Sequence, residues 1–300
     1  MKLTVTGATG FVGGHLLDAA AIVGHSVTAL TRRPQPERDG VEWIAGSLDD
    51  RAALDRLVAD ADAVIHVAGV VNAPDAAGFE AGNVTGTANI LDAATKAGVK
   101  RFVHVSSLAA REPKLSEYGA SKARSEAIVA AASISTVIVR PPAIYGPGDH
   151  ELLEMFRMAR RGFVLLPPAG RLSLIHAADL ARLLVALAAP AAPTGIIEPD
   201  DGHPRGYSHV EFGQALGQAV GRRVRTLSMS AAILTLGAKA DRLMRGPRAK
   251  LTPDRATYFA HPDWVADPAR APDPAMWSAG IPTKQGLADT AAWYRSRSLL

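Results

Sequence analysis

The sequence of 300 residues is 48% apolar and 21% charged, with a formal net charge of +4. Such a composition is typical of a globular chain and excludes a fibrous or low-complexity protein. Because no cysteine is present, disulfide bonds and thiolate metal sites are excluded. The basic residues are scattered and are not interleaved with aromatic residues, so the sequence isoelectric point of about 9.5 does not indicate a nucleic-acid partner.

Hydropathy predicts a protein that does not span a membrane. No apolar run reaches the ~18 residues that a membrane helix needs. Met1-Lys2-Leu3 leads directly into the first predicted strand, which leaves no room for a signal peptide. We therefore expect a cytoplasmic protein with a small-molecule substrate and without a membrane, nucleic-acid or metal partner. The oligomeric state is left open, with a homodimer among the alternatives.

The chain begins with a predicted strand, a glycine-rich turn and a helix. Leu3–Thr6 predicts a buried strand, and His15–Val23 has apolar residues at helical spacing. Between them, Gly7 permits a tight turn, Gly10 lets a phosphate approach the backbone, and Gly13 lets the helix pack closely. The alternative is a tight turn without a ligand, but the position at the start of a βαβ unit favours a dinucleotide site. The residues of this turn expected at the cofactor are Gly7, Thr9, Gly10, Phe11, Val12 and Gly13.

Strand and helix patterns alternate from Met1 to about Ala189. This alternation predicts an α/β fold of the Rossmann type, a doubly wound parallel sheet. The predicted strands are Ser26–Thr31, Val41–Ala45, Ala63–Val67, Arg101–Ser106 and Ser135–Arg140, and the predicted helices are Asn83–Ala97 and Tyr118–Ala132. Pro141-Pro142 should end the last of these strands, because proline cannot donate to a ladder.

The remainder of the chain has a looser pattern. Glu151–Arg161 predicts an amphipathic helix, and a strand at Leu172–His176 with a helix at Ala177–Ala189 is expected to return to the sheet. From Pro190 onward, prolines and glycines are dense and the helices should be short. We therefore predict a dinucleotide-binding domain over residues 1–189 and a small C-terminal substrate-binding lobe over residues 190–300.

The end of the second predicted strand bears on the choice of cofactor. Dinucleotide folds that bind NAD place an acidic residue here, whereas an arginine suits the 2′-phosphate of NADP. Arg32 therefore favours NADP, with NAD as the alternative. The competing interpretation is a basic surface loop, because Pro34 to Arg38 should be exposed. Further cofactor contacts are expected after the third and fourth strands, at Ser47, Leu48, Ala68 and Gly69.

The strongest chemical signal is Tyr118 with Lys122. Four residues apart on a helix, the two side chains share one face. A free tyrosine has a pKa near 10, and a nearby ammonium should lower it toward a useful acid–base range. A serine from Ser106-Ser107 could donate to the substrate oxygen beside the tyrosine. Tyrosine and lysine at this spacing also occur by chance, but here the glycine turn and the serines precede them in the expected order.

Together these motifs resemble those of extended or atypical short-chain dehydrogenases/reductases, the superfamily of NAD(P)-dependent epimerases and dehydratases. The matching pieces are Gly7-x-x-Gly10-x-x-Gly13, His66-Val67-Ala68-Gly69, Asn83-Val84-x-Gly86-Thr87, Ser106-Ser107, Tyr118-x-x-x-Lys122, Arg140-Pro141-Pro142-Ala143-Ile144-Tyr145-Gly146-Pro147-Gly148 and Ile175-His176-x-x-Asp179. They cover most of residues 1–189 in the right order.

The resemblance implies a role for each matching residue. Tyr118 would be the acid–base residue, Lys122 the ribose anchor, and Ser107 the donor to the substrate oxygen. Ser106 is the alternative donor and a further cofactor contact, and Asn83 supports the site. The segment along the nicotinamide would contribute Pro141, Ala143 and Ile144. Ser47 departs from the aspartate common at its position, which puts the adenine contacts in doubt.

The function that this pattern favours is an NADP-dependent oxidoreductase that interconverts a carbonyl and a secondary alcohol on a small hydrophobic substrate. One alternative is a nucleotide-sugar epimerase or dehydratase, which uses the same three side chains and returns the hydride. Epimerases of the superfamily often carry an arginine where this chain has Leu172, and the neighbouring Arg171 should point to the other face. A second alternative is a non-catalytic NADP-binding sensor or scaffold, which would have no use for an acid–base tyrosine.

Overall fold

The computed structural model describes residues 1–246 and 252–300. Its strands are β1 (Lys2–Thr6), β2 (Ser26–Thr31), β3 (Val41–Ala45), β4 (Ala63–His66), β5 (Arg101–Val105), β6 (Ser135–Val139), β7 (Ala143–Tyr145), β8 (Phe163–Leu166), β9 (Arg171–Leu172), β10 (Leu174–His176), β11 (Gly195–Ile197), β12 (Tyr207–Ser208), β13 (Arg225–Ser228) and β14 (Asp263–Trp264).

The α-helices are α1 (Phe11–Ile22), α2 (Arg51–Leu57), α3 (Ala76–Phe79), α4 (Gly86–Lys96), α5 (Glu117–Ala130), α6 (Leu153–Arg160), α7 (Ala177–Leu187), α8 (His209–Ala219), α9 (Ala231–Arg245), α10 (Pro253–Ala260) and α11 (Thr283–Ser296). Glu80–Thr85 forms a π-helical turn before α4, and Leu108–Arg111 forms a 3-10 turn after β5. In the part of the chain described here, no helix has the length and hydropathy needed to cross a membrane.

Seven parallel strands form the central sheet, in the order β11-β6-β5-β4-β1-β2-β3. The chain runs outward from β1 to β3 and then resumes at β4 on the other side of β1. Ligands of doubly wound folds bind at such a reversal, outside the carboxyl ends of the strands. The predicted Rossmann-type fold is therefore confirmed, and the glycine turn after β1 lies at this point.

Two apolar layers cover the faces of the sheet. On one face, α1 and α7 pack over residues such as Leu3 and Val5, and Trp277 closes the edge of this layer. On the other face, α2, α4 and α5 pack over Val64 and Phe102. Parallel strands buried on both faces need near-continuous apolar sequence, which explains why these strands were recognisable in the sequence.

The segment Leu172–His176 does not return to the central sheet, and that prediction was wrong. β9 pairs instead with β12 and β14, and β10 pairs with β7. Pro141-Pro142 ends β6 and directs the chain out of the sheet, so β7 and β10 form a separate parallel ladder. The outermost position beside β6 is taken by β11, which lies beyond residue 189.

The second lobe has a core of its own. It brings together Tyr145, Phe156, Leu174, Leu287 and Tyr294, all fully buried, from both sides of residue 189. Two small sheets, β12-β9-β14 and β13-β8, support it. Its helices are not uniformly short, since α9 has 15 residues and α11 has 14.

Candidate active site

The glycine turn is shaped by close backbone contacts. Gly7 has a φ of +76°, and a Cβ atom there would lie 2.6 Å from the backbone nitrogen of Ala68. A Cβ at Gly13 would lie 2.0 Å from the Gly7 carbonyl oxygen. Larger residues at these two positions would therefore displace the turn from β4 or the helix from the turn.

The start of α1 is suited to an anion. Gly10 is its N-cap and provides no side-chain cap, and the first helical turn contains no acidic residue. Thr9 and Gly10 are exposed, while Phe11 and Val12 are half-buried beside them. A helix start with free N–H groups and no competing carboxylate fits the pyrophosphate of a dinucleotide.

Arg32 lies directly after β2, at the carboxyl edge of the sheet. Its side chain is exposed, and it makes no ion pair within residues 1–246 and 252–300. Arg38, by contrast, is bound to Asp18 at 2.6 Å. Gly46 donates to the Thr31 carbonyl at 2.9 Å, which brings the end of β3 beside Arg32.

Ser47 and Leu48 follow β3 on the same edge. The Ser47 hydroxyl accepts from the backbone N–H of Asp49 at 3.3 Å, and the Leu48 carbonyl accepts from the Asn89 side chain at 2.8 Å. A Cβ at Gly86 would lie 2.7 Å from the Leu48 side chain, so this glycine provides the space into which Leu48 packs.

Ser107 and Tyr118 meet at the carboxyl end of β5. Ser107 caps the 3-10 turn, with its Oγ accepting from the backbone N–H of Ala109 at 3.2 Å. The Ser107 hydroxyl also hydrogen-bonds the Tyr118 oxygen, and the Tyr118 ring lies 6.2 Å from that of Phe79 between centroids. This pair provides a hydroxyl group and a phenol at one point beside the cofactor edge.

Burial raises the pKa of Tyr118, and the Ser107 hydrogen bond only partly opposes this effect. The expectation of a net lowering of the Tyr118 pKa is therefore wrong, although a charged Lys122 would still favour the phenolate. The physical reason is that desolvation of the phenolate is the largest influence on this side chain. Tyr118 is consequently a protonated phenol at neutral pH.

Lys122 lies one helical turn after Tyr118 and is almost fully buried. Its Nζ donates to the Val105 carbonyl at 2.9 Å. Burial lowers the pKa of Lys122 to about 8, against the opposing effect of Glu126. A Cβ at Gly69 would lie only 3.2 Å from the Lys122 Nζ, so the glycine after β4 lets the lysine reach this edge.

Asn83 fixes the loop that follows β4. Its Oδ1 accepts from the Val70 N–H at 2.7 Å, and its Nδ2 donates to the Val70 carbonyl and to the Ser121 Oγ, both at 2.9 Å. The π-helical turn that contains Asn83 brings this amide between the loop and α5. Asn83 thus supports the positions of Gly69 and of the helix that carries Lys122.

The two serines after β5 have different surroundings. Ser106 is buried and its hydroxyl donates to Glu126. Ser107, in contrast, bonds Tyr118. The hydroxyl of Ser106 is therefore occupied by Glu126. Ser107 is the serine that lies where a substrate oxygen could be bound.

Sequence reasoning missed a buried ionic network behind this site. Arg140 binds Glu126 through two nitrogens, at 2.9 and 2.6 Å, and reaches Glu198 at 3.2 Å. Arg111 contacts Glu198 at 3.4 Å and donates to the Val265 carbonyl at 2.7 Å. Arg111, Arg140 and Glu198 line an open cavity of about 690 Å³. The only signal in the sequence is a charged residue directly after a strand, as with Arg140 after β6 and Glu198 after β11. The two residues are distant in sequence, so their pairing could not be predicted.

The loop after β6 lies beside the turn that follows Ser107. The Pro141 carbonyl accepts from the Leu108 N–H at 3.2 Å, next to Ser107. Ile144 packs with Val12 and Val67 against the core of the sheet. Pro141 and Ile144 therefore adjoin the catalytic turn and the glycine turn respectively, and Ala143 lies between them, half-buried at the start of β7.

The second lobe contributes aromatic residues that the sequence did not identify as part of the site. Asp254 on α10 accepts from the Glu117 N–H at 2.7 Å, which attaches α10 to the start of α5. Tyr258 stacks on Trp264 at 4.5 Å between centroids. Burial raises the pKa of Tyr258, and Tyr118 adds to that effect, so the two phenols lie within electrostatic range of one another.

Two side chains considered in the sequence have other contacts. Arg171 donates to the carbonyls of Arg205 and Gly206, both at 2.7 Å, so its charge is engaged away from the site. His66 is fully buried between the hydroxyls of Thr6 and Thr87, at 2.6 and 3.0 Å. Burial lowers the pKa of His66 to about 3, which is the behaviour of a structural histidine.

Fold and site together define a class of enzyme. A parallel Rossmann sheet has a glycine turn at its reversal point, a serine after β5, and tyrosine and lysine on the helix that follows, in the manner of NAD(P)-dependent short-chain dehydrogenases/reductases. The model of the NAD dependent epimerase/dehydratase family matches residues 3–197. The chain belongs to that family.

Relatives and solved structures agree with this assignment. The chain is 39% identical to a ceramide reductase of Caulobacter vibrioides, over 99% of this chain and 96% of the relative. It is 36% identical to a 2-alkyl-3-oxoalkanoate reductase of Stenotrophomonas maltophilia, over 54% of this chain and 57% of the relative. The fold is similar to that of a UDP-glucose 4-epimerase from Thermotoga maritima, with a TM-score of 0.74 and 17% identity over 99% and 100% of the two chains.

Proposed function

We propose that the protein is an NADP-dependent reductase that converts a ketone on a hydrophobic substrate into a secondary alcohol. The observation that carries this proposal is that Ser107 and Tyr118 meet at the carboxyl end of β5, one helical turn before Lys122. Burial favours the protonated form of this phenol. A phenol that keeps its proton at neutral pH is prepared to donate it, as carbonyl reduction requires. Alcohol oxidation would need the phenolate, which burial disfavours.

Three side chains act on the substrate oxygen or on the tyrosine beside it. Tyr118 gives its proton to that oxygen, and Ser107 donates a hydrogen bond to it as negative charge develops. Lys122, when charged, favours the phenolate that remains after the transfer. The reduced nicotinamide supplies the hydride to the carbonyl carbon when it is bound, so one hydride and one proton complete the alcohol.

The cofactor preference rests on Arg32. Its exposed guanidinium has no ion-pair partner in the described part of the chain and lies at the strand end where a dinucleotide ribose is expected. A guanidinium matches a phosphate in geometry and stays charged. We therefore assign the 2′-phosphate of NADP to Arg32, the pyrophosphate to the start of α1, and the ribose of the nicotinamide to Lys122.

The substrate class follows from the second lobe and from the relatives. Helix α10 of the second lobe is attached to the start of α5 through Asp254, and it carries Tyr258, which stacks on Trp264. This lobe therefore presents aromatic surface near the helix that carries Tyr118. Two relatives are named for lipid-like substrates, a ceramide and an alkyl-oxoalkanoate. We assign the ketone counterpart of a ceramide as the first substrate to test.

The alternative is a nucleotide-sugar epimerase, which the similarity to a UDP-glucose 4-epimerase favours. A sugar nucleotide carries a doubly charged pyrophosphate that needs a cationic partner. Leu172 offers no charge, Arg171 is engaged by backbone carbonyls, and Arg157 is bound to Glu154 at 2.9 Å. These contacts favour the reductase.

Two measurements test the proposal. NADPH oxidation should depend on the ketone counterpart of a ceramide, and calorimetry with UDP- and dTDP-sugars should give no heat of binding. Failure of long-chain ketones to consume either reduced cofactor would contradict the proposal. Micromolar binding of a sugar nucleotide, followed by its isomerisation, would establish the epimerase in its place.

A further inference from the structure

Helix α9 has an unusual outer face. Ile233, Leu236, Leu243 and Met244 are 56%, 69%, 89% and 82% exposed. Their spacing places them on one side of the helix. The opposite side is buried, because Leu234 and Ala238 pack against α10. The helix is therefore attached to the lobe by one apolar side and presents a second apolar side to the solvent.

Basic residues accompany this face. Lys239 is exposed next to the apolar stripe on the helix surface. Residues 231–251 of the sequence contain five basic residues and one acidic residue, so this short segment holds a charge as large as the +4 of the entire chain. Arg245 is ion-paired with Asp241 at 3.2 Å. An apolar stripe bordered by a lysine, on a segment of net positive charge, is the pattern of a helix that lies in the interface of an anionic bilayer.

The helix beneath this face is connected to the candidate active site. α10 packs on α9 and carries Asp254, which accepts from the Glu117 N–H at the start of the catalytic helix α5. It also carries Tyr258, whose pKa responds to Tyr118. Helix α10 thus connects α9, which carries the exposed apolar stripe, to the helix that carries Tyr118.

We propose that the outer face of α9 docks on an anionic lipid surface and that a long-chain substrate reaches Tyr118 from that surface past α10. This inference deepens the proposed function and rests on it for the identity of the substrate. It replaces the expectation of no membrane partner, which considered only spanning helices. A protein that lies on a bilayer needs no spanning helix.

The alternative is that the outer face of α9 binds a second copy of the chain. The charge disfavours it, because two segments with the same strong positive charge would repel one another across such an interface. An anionic bilayer accommodates both features of the segment, since the stripe enters the acyl boundary and the basic groups remain at the headgroups.

The test is flotation of the purified full chain with phosphatidylcholine vesicles that contain or lack phosphatidylglycerol, without cofactor or substrate. We expect binding to the anionic vesicles only. The double variant Leu236→Ser with Leu243→Ser should reduce partitioning more than about tenfold, and Lys239→Gln about fivefold. The matched control is Ile22→Ser with Val23→Ser, which removes 84% and 55% exposed apolar side chains at the end of α1 and should leave partitioning unchanged.

Thermal unfolding of each variant checks that these surface changes leave the fold intact. Absence of binding by the parent, or equal binding by the α9 variant and the parent, would overturn the inference. So would light scattering that shows a dimer in the parent and a monomer in the α9 variant without lipid. Ketone reduction without vesicle binding contradicts this inference alone, whereas vesicle binding without ketone reduction contradicts only the proposed function.

Discussion

The sheet unit and the second lobe contribute different kinds of surface to the site. On the sheet side, Lys122 and Asn83 are buried, and each is held by hydrogen bonds to backbone or side chain. On the lobe side, Tyr258 and Trp264 form an aromatic stack next to the contact between α10 and α5. In the function that we propose, the proton chemistry therefore belongs to the sheet and the choice of substrate to the lobe.

The largest expected effect comes from removing the proton donor of the sheet side. Tyr118→Phe deletes one hydroxyl and should lower the rate of ketone reduction about 10²–10⁴-fold, which is the usual contribution of a positioned acid. Cofactor affinity and the thermal midpoint should change little. Steady-state kinetics and cofactor titration measure these quantities.

Tyr207→Phe is the matched control on the lobe side. Its hydroxyl donates to Asp201 at 2.7 Å, so the substitution removes a hydrogen bond of the lobe and should leave the rate within about threefold of the parent. A Tyr118→Phe variant that keeps most of the activity would show that the proton comes from another group.

The preference for NADPH over NADH should depend on Arg32, which belongs to the sheet side. Arg32→Ala removes a charge-assisted contact and should weaken NADPH binding about tenfold to a hundredfold, with no effect on NADH. Titration of both cofactors measures the difference. Arg38→Ala is a suitable control, because Arg38 is bound to Asp18. Tighter binding of NADH than of NADPH by the parent would contradict the assignment.

The pH dependence of reduction should report Lys122. Its pKa is lowered to about 8 by burial, so the side chain is charged below that pH and neutral above it. Since only the charged form favours the phenolate, kcat/KM for the ketone should fall by up to about tenfold per pH unit above that pKa. Lys122→Met should remove this decline, and a parent profile that is unchanged through the same range would contradict the role.

The smallest effect concerns the packing within the second lobe. A Cβ at Gly286 on α11 would lie 2.8 Å from His176 and 2.9 Å from Tyr145. Gly286→Ala should therefore destabilise the fold by about 1–3 kcal/mol. Gly14→Ala in α1 is the matched helical control, because its Cβ would meet nothing within 4 Å, and it should be neutral or stabilising. Equal thermal shifts for the two variants would refute the packing argument.

The same contrast explains how much could be predicted from the sequence. The Rossmann fold, its strands and the order of the glycine turn, Ser107, Tyr118 and Lys122 follow from local patterns. Strands buried on both faces are apolar runs, and each motif lies at the end of one of them. Family membership follows from the same pieces.

The remaining features depend on contacts between distant residues. Nothing local indicates that β10 pairs with β7 or that Asp254 on α10 contacts the start of α5. The pKa of Tyr118 was expected in the wrong direction, because the spacing of tyrosine and lysine says nothing about how deeply the phenol is buried. The engagement of Ser106 by Glu126 likewise depends on α5 packing beside β5.

The most direct test of the central claim is the stoichiometry of hydride transfer. A reductase oxidises one NADPH for each alcohol it forms, whereas an epimerase returns the hydride and leaves the cofactor unchanged. With the ketone counterpart of a ceramide as substrate, NADPH loss and alcohol formation should agree one to one and both should be lost in Tyr118→Phe. Conversion of a UDP-sugar without net oxidation of the cofactor would contradict the account.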